Sequence, residues 1–321
     1  MKEINKFVSM KEIIVIGHKN PDTDTVVSAI LLAELINKTQ KPVKGRAVAG
    51  VEKELNRETK FVLEYFNQEA PEKIESLSEK DVFLVDHGEF EQSPEGIESA
   101  NLVGVLDHHK MGGIKTNSPI YYRAETKGST CTIIAEMFFQ NNVSVEKKEA
   151  GLLLSAIISD TLNLTSPTTT QEDKDVADKL IEISKENMDK LAEKMFEAKS
   201  DISGISAKEL VTKDYKEYEA GGKKFSIGIW ETVKPERVEE IQKDIFSSLE
   251  EVKKENSLDF VFFGLVDILK NETKMFLLKE EKKIAQAAFE KDLEGDFLVL
   301  PGVVSRKKQI LPAIINFLER K

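Results

Sequence analysis

Four histidines occur among the 321 residues, and each follows an apolar run: His18 in IVIGHKNPDTD, His87 in FLVDHGE, His108 and His109 in VLDHHK. A turn that leaves a strand has use for Asn20, Pro21 and Asp22. It has none for a His placed before it, nor for the pair of carboxylates Asp22 and Asp24. Carboxylates mixed with imidazoles suit Mn²⁺, Co²⁺, Fe²⁺ or Zn²⁺, whereas an all-carboxylate cage suits Mg²⁺ or Ca²⁺. Counting Asp86 before His87 and Asp160 in AIISDTLN, four Asp residues would roughly neutralise two divalent ions. Two ions about 3.5–4 Å apart can share a hydroxide and clamp a phosphoryl group.

Each residue has a plainer explanation when taken singly. His18 could be a satisfied strand-end side chain, Asp24 the N-cap of the next helix, Asp86-His87-Gly88 a polar turn, and Asp160 a helix end. The coincidence weighs against these: every His of the chain stands at a strand terminus with carboxylates beside it. In an open parallel sheet, ligands bind beyond the carboxyl ends of the strands, so these residues are expected on one rim. A second cluster, SRKKQ from Ser305 to Gln309, follows the apolar VLPGVV. It reads either as a solvated basic stretch or as an anion site, Arg306 offering a bidentate fork and Lys307 a point charge.

The elements that must position these residues follow from the apolar patterning. In the first half, EIIVIG, DVFLVDH and NLVGVLDHH read as buried strands. TVVSAILLAELINK, TCTIIAEMFFQNN and KKEAGLLLSAIISD read as helices by their three-to-four-residue spacing. Strand then helix, repeated, predicts an α/β fold with a parallel sheet and helices on both faces. The pattern breaks at KSDISGIS. This predicts two domains, 1–199 and 207–321, joined by a linker at about 200–206. Beyond it come the strand KKFSIGIW, one long helix over PERVEEIQKDIFSSLEEVKKEN, the neighbouring strands LDFVFFGLVDIL and KMFLLKE, and a short helix EKKIAQAAFE. The nine residues before the second Met read as a short extension.

A net charge of −11 argues against general nucleic-acid binding. No stretch approaches the roughly 18–20 apolar residues of a membrane span, and the N-terminus lacks an apolar core of signal-peptide length. The single cysteine, Cys131, excludes an intramolecular disulfide, which makes a cytoplasmic location the expectation.

GHKNPDTDT, VDHGE, LDHHK, SAIISDT and VSRKKQ, in this order, resemble the signatures of the family II, manganese-dependent inorganic pyrophosphatases of the DHH phosphoesterase superfamily. The resemblance runs from about Lys11 to Pro312. It implies hydrolysis of pyrophosphate to two phosphates by a hydroxide bridging two Mn²⁺, with Co²⁺ a possible substitute and Mg²⁺ accompanying the substrate. His18 and Asp22 would ligate the first Mn²⁺, Asp24 and His108 the second, and Asp86 and Asp160 would bridge both. His109 would face the substrate, and Arg306, Lys307 and Lys216 would hold its phosphates. Asp107 and His87 would orient ligands. The resemblance further implies a smaller mixed α/β second domain, an active site between the domains, a homodimer, and no adenine-nucleotide regulation. It departs from the family at Gly88, where Asn is usual. DHH phosphoesterases of short oligonucleotides or cyclic dinucleotides are a rival reading. They usually carry a Gly-Gly-His motif, whereas Gly112-Gly113 and Gly221-Gly222 here precede Ile and Lys. A non-catalytic phosphate or polyphosphate sensor would be expected to have lost a ligand, and all six positions are kept.

Overall fold

The computed structural model describes residues 11–319; the expected N-terminal extension lies outside them. The chain divides into two compact units, the first reaching Ala198 and the second starting at Lys199.

The first unit carries strands β1 (Glu12–Ile16), β2 (Arg46–Val51), β3 (Glu72–Lys73), β4 (Asp81–Val85), β5 (Asn101–Asp107) and β6 (Tyr121–Ala124). Its helices are α1 (Thr23–Thr39), α2 (Arg57–Tyr65), α3 (Thr130–Gln140), α4 (Lys147–Thr161), α5 (Gln171–Ser184) and α6 (Met188–Lys199), the last of which runs just past the division. The strands form one parallel sheet in the order β3-β2-β1-β4-β5-β6. The order reverses between β1 and β4, so their carboxyl ends flank the crevice where such sheets take ligands.

The period-two alternation of β1 sends Ile13 and Val15 to one face and Ile14 and Ile16 to the other. The first face is covered by α1 to α6, through Val27, Leu31, Val62, Ile134, Leu153, Leu180 and Met195 among others. The expectation of helices on both faces fails here. The second face is closed by Ile74, Leu77, Ile97 and the half-buried Phe90 and Ile120 from connecting segments. The β4–β5 connection holds only two 3₁₀ turns, Phe90–Gln92 and Ile97–Ser99. Its sequence, GEFEQSPEGIESA, has too few apolar residues to present a helical stripe.

The second unit has β7 (Tyr215–Ala220), β8 (Lys223–Thr232), β9 (Phe260–Asp267), β10 (Glu272–Leu277) and β11 (Phe297–Pro301). They are joined by α7 (Ala207–Thr212), α8 (Glu236–Glu239), α9 (Gln242–Glu255), α10 (Lys279–Phe289) and α11 (Leu311–Glu319). The sheet order is β11-β10-β9-β8-β7, parallel only between β8 and β9. This sheet does have helices on both faces. Ile284, Ile314 and Leu318 of α10 and α11 pack on one, and Leu210, Val238, Ile245 and Leu249 of α7, α8 and α9 on the other. The single long helix expected after Pro235 is two: at Ile241 the amide N–H donates to Val238 O, a tightened bond that ends α8 before α9 begins. Within 199–206, Ile202 and Ile205 pack onto the second unit's core, and Ser206 caps α7.

Asp173 of α5 fastens the loop that will matter for the site. It is fully buried, and its Oδ2 accepts from Gly128 N, Thr170 N and Thr170 Oγ1, while Oδ1 accepts from Thr132 Oγ1. Asp173→Asn turns an N–H₂ group toward at least one of these donors. We expect it to lower stability by about 1–3 kcal/mol, read by urea denaturation with far-UV circular dichroism. An unchanged midpoint and slope would contradict this role.

Candidate metal centre

The first unit brings six of the candidate residues to the carboxyl rim of its sheet. Asp86 directly follows β4, is 1% exposed, and takes a left-handed backbone (φ 62°). Such a conformation is uncommon for a non-glycine residue but is tolerated by Asp. Its N–H donates to Leu106 O of β5, so the strand pairing holds the turn. Thr25 Oγ1 donates to one carboxylate oxygen at 2.6 Å and Thr130 Oγ1 to the other at 2.9 Å. A Cβ on Gly17 would lie 2.2 Å from Thr25 Cγ2, so only glycine before His18 lets Thr25 sit where it can donate.

Two groups of possible metal ligands share this carboxylate: His18, Asp22 and Asp86, and Asp24, Asp86, His108 and Asp160. In each, the candidate atoms lie within 4.8 Å of one another. His18 Nε2 is 3.3 Å from Asp22 Oδ2 and 3.6 Å from Asp86 Oδ2. His108 Nε2 is 3.4 Å from Asp86 Oδ1 and 3.5 Å from Asp160 Oδ2. Asp160, in the last turn of α4, falls in the second group only. Asp22, not Asp24, is the N-cap of α1, accepting from Thr25 N. Asp24 is instead buried in the first helical turn. Its oxygens accept from Ser129 Oγ, Thr130 N and Cys131 N at the start of α3. Ser28 of α1 adds a longer contact.

The remaining residues separate cleanly. His87 is buried and packs edge-on to His18, 6.3 Å between ring centroids, with Nδ1 2.9 Å from Val85 O and Nε2 2.8 Å from Ser93 Oγ. His109 is half exposed, its Nδ1 2.9 Å from Asp107 Oδ1, which also accepts the His109 N–H. Nδ1 is also 3.9 Å from Asp86, so His109 forms a third grouping with Asp86 and His108. At the departure from the family pattern, a Cβ on Gly88 would stand 3.1 Å from both Asp107 Oδ2 and Tyr122 Oη.

In the second unit, Arg306 lies five residues beyond the end of β11 rather than at it, in the π-helical turn Arg306–Ile310 that leads into α11. Its guanidinium donates to Asp214 Oδ1 at 2.8 Å and to the Asp214 carbonyl. Lys216 follows two residues later on β7 and is exposed, as is Lys307. Thus SRKKQ and KDYKEYE meet within this unit through Asp214, which the sequence reading overlooked. It also overlooked the hydroxyl donors Thr25, Ser129 and Thr130. A Ser before an apolar helical run is a legible cap, but nothing local says that its partner is Asp24, 105 residues away.

The electrostatics fit a cation site. Burial alone would lower the pKa of His18, but Asp22 and Asp86 outweigh it and push it up to about 10. Burial likewise opposes protonation of His108, and the adjoining carboxylates, Asp86 first, raise it to about 10. Burial, then the charge of Asp86, lifts Asp24 to about 7. Asp86 is held well below the usual carboxylate range because the two imidazoles outweigh its burial. Among the described residues, His108 Nε2 is buried with no hydrogen-bond partner and stands between two carboxylates. These residues, held by fixed hydroxyl and amide donors, fit hard-to-borderline divalent ions.

Residues 12–157 match the DHH family, N-terminal domain, and residues 193–317 match the DHHA2 domain. A Bacillus subtilis protein named manganese-dependent inorganic pyrophosphatase is 39% identical over 312 residues, spanning 96% of this chain and 99% of its own. A Bacillus pumilus relative from the same group is 43% identical over 311 residues, 96% of this chain and 100% of its own. The chain belongs to the manganese-dependent inorganic pyrophosphatases. A Methanococcus jannaschii crystal structure described as a family II inorganic pyrophosphatase agrees, with 37% identity, a TM-score of 0.68, and 95% of this chain and 99% of its own covered. A Bacteroides fragilis exopolyphosphatase-related structure, 12% identical with a TM-score of 0.51 over 97% of this chain and 92% of its own, shares the fold alone. The groups around Asp86 in this chain are clusters able to bind metal ions.

Protonated imidazoles and a protonated Asp24 must give up their protons before they can ligate a cation. Groups raised to about 10 and about 7 are protonated, wholly or in part, at pH 7. Mn²⁺ uptake by the metal-stripped chain should therefore release protons, and affinity should fall as pH is lowered. Calorimetry in buffers of different ionisation enthalpy reads both. Proton-neutral, pH-independent binding would contradict the assignment of His18 and His108.

Proposed function

We propose that the chain hydrolyses inorganic pyrophosphate to two phosphates. The observation that carries this reading is the sharing of Asp86 by two acid-and-imidazole groups in a chain that aligns end to end with manganese-dependent pyrophosphatases. In this proposal His18, Asp22, Asp24, Asp86, His108 and Asp160 hold two Mn²⁺ ions. The bound ions would supply Lewis acidity toward phosphoryl oxygens and lower the pKa of a water molecule. A new P–O bond forms from water as the bridging P–O bond breaks, and the second phosphate leaves.

The chain's own part is to place and neutralise the substrate. Asp107 fixes the His109 ring through Nδ1 and, outweighing burial, raises its pKa. This favours the doubly protonated ring, whose Nε2–H can give a hydrogen bond to a phosphate oxygen. Arg306, Lys307 and Lys216 take up phosphate charge, which the carboxylates of the acidic rim cannot do. Asp214 holds the Arg306 fork pre-oriented, sparing entropy when a phosphate is met. A cytoplasmic homodimer completes the proposal. Cys131 is buried, and among the described residues no helix is long and apolar enough to cross a membrane. Sedimentation velocity tests the dimer, with a purely monomeric boundary counting against it.

Phosphate release from pyrophosphate, compared with release from a dinucleotide, tests the reaction. Metal-stripped protein should lose most activity, and Mn²⁺ or Co²⁺ should restore more of it than Mg²⁺ alone. Arg306→Ala should then slow turnover by roughly 10²–10³-fold at unchanged Mn²⁺ content. Preference for the dinucleotide, full rescue by Mg²⁺ alone, or a normal Arg306→Ala rate would each overturn its part of the proposal.

A further inference from the structure

Glu58 is a buried carboxylate that the reading above leaves without a task. It is the second residue of α2, 1% exposed, just after the N-cap Asn56, which accepts from Thr59 N. Burying a carboxylate is costly unless hydrogen bonds repay it. What distinguishes Glu58 is which hydroxyls reach it. Ser159 Oγ donates to its Oε2 at 2.9 Å, and Thr23 Oγ1 approaches the same oxygen at 3.4 Å. Thr23 Oγ1 also lies 3.2 Å from Thr59 Oγ1, and Asn56 Nδ2 donates to Pro21 O at 3.4 Å.

Those contacts fall beside proposed ligands. Thr23 stands between Asp22 and Asp24, and Ser159 immediately precedes Asp160. One oxygen of Glu58 therefore ties the first turn of α1 to the last turn of α4, the two segments that carry three of the six proposed ligands. These segments are 136 residues apart in sequence, taking Ser159 minus Thr23. Four carboxylates gathered around two cations repel one another whenever a cation leaves, so their backbones need an anchor that does not itself depend on the metal.

We propose that Glu58 is a positioning residue for the metal centre: its Oε2 fixes the spacing between Asp22–Asp24 and Asp160. It touches neither substrate nor metal and acts through Thr23 and Ser159. This rests on the ligand assignment proposed above, and the test separates the two.

The experiment is equilibrium binding of Mn²⁺ alone to the metal-stripped full chain, with free Mn²⁺ read by electron paramagnetic resonance and folding checked by circular dichroism. Losing a group that orients ligands typically weakens metal binding about 10–100-fold, and Glu58→Ala should do so while remaining folded. Glu58→Gln keeps an oxygen able to accept both hydroxyls and should bind nearly as tightly as the wild type. Ser159→Ala and Thr23→Val should each give a smaller loss of the same sign, and they decide the matter if Glu58→Ala fails to fold. Unchanged Mn²⁺ affinity in a folded Glu58→Ala, or in both hydroxyl variants, would overturn the proposal. So would a Glu58→Gln loss as large as that of Glu58→Ala. Failure of the ligand assignment shows differently, as a wild-type chain that does not bind Mn²⁺.

Discussion

A single carboxylate, Asp86, sets the terms for the first unit. It sits at the end of a central strand, 1% exposed, in a left-handed backbone pinned by β5. A buried carboxylate in such a place is tolerable only if donors and positive charge surround it. Thr25 from α1 and Thr130 from α3 supply the donors, and His18 and His108 the charge when no cation is present. Three more carboxylates crowd the same rim, which makes the arrangement intelligible chiefly as a receptacle for cations. The shift of Asp24 to about 7, from burial and then the charge of Asp86, expresses the same repulsion.

Much of this was legible in the sequence because the central strands of a parallel sheet are buried on both sides and read as unbroken apolar runs. The polar residues that end such runs then stand out, and for His18, Asp86 and His108 this was enough to gather them, whereas Asp160 lies in the last turn of the helix α4 and its role was drawn from the resemblance. Asp22 and Asp24 are both plausible caps of α1 by type, and the plainer explanation weighed for Asp24, that of a cap, does not hold. The structure chooses Asp22, since Asp24 is engaged by the amides of α3, a partner no local pattern reveals. The hydroxyls of Thr25, Ser129 and Thr130 were invisible for the same reason: their value lies in long-range contacts.

The fold was misjudged where connections, rather than strands, decide the outcome. Repeated strand-and-helix patterning suggested helices on both faces of the first sheet, yet the β4–β5 connection supplies only 3₁₀ turns, and loop residues such as Leu77 and Ile97 close that face. In the second unit the amphipathic stripe through Val238, Ile245 and Leu249 survives a break at Ile241, because both α8 and α9 bury it in one cluster. Periodicity reports burial there more faithfully than it reports helix continuity. The tie between Arg306 and Asp214 shows how a basic triplet that reads as solvated surface is organised by a residue 92 positions earlier.

The central claim is that two metal sites depend on one shared carboxylate. The most direct measurement is the Mn²⁺ binding isotherm of Asp86→Asn beside those of the wild type and Asp22→Asn, with correct folding verified for each. Two Mn²⁺ per wild-type chain, both weakened together in Asp86→Asn but only one weakened in Asp22→Asn, is the predicted result. An Asp86→Asn chain that keeps one site at wild-type affinity would contradict it.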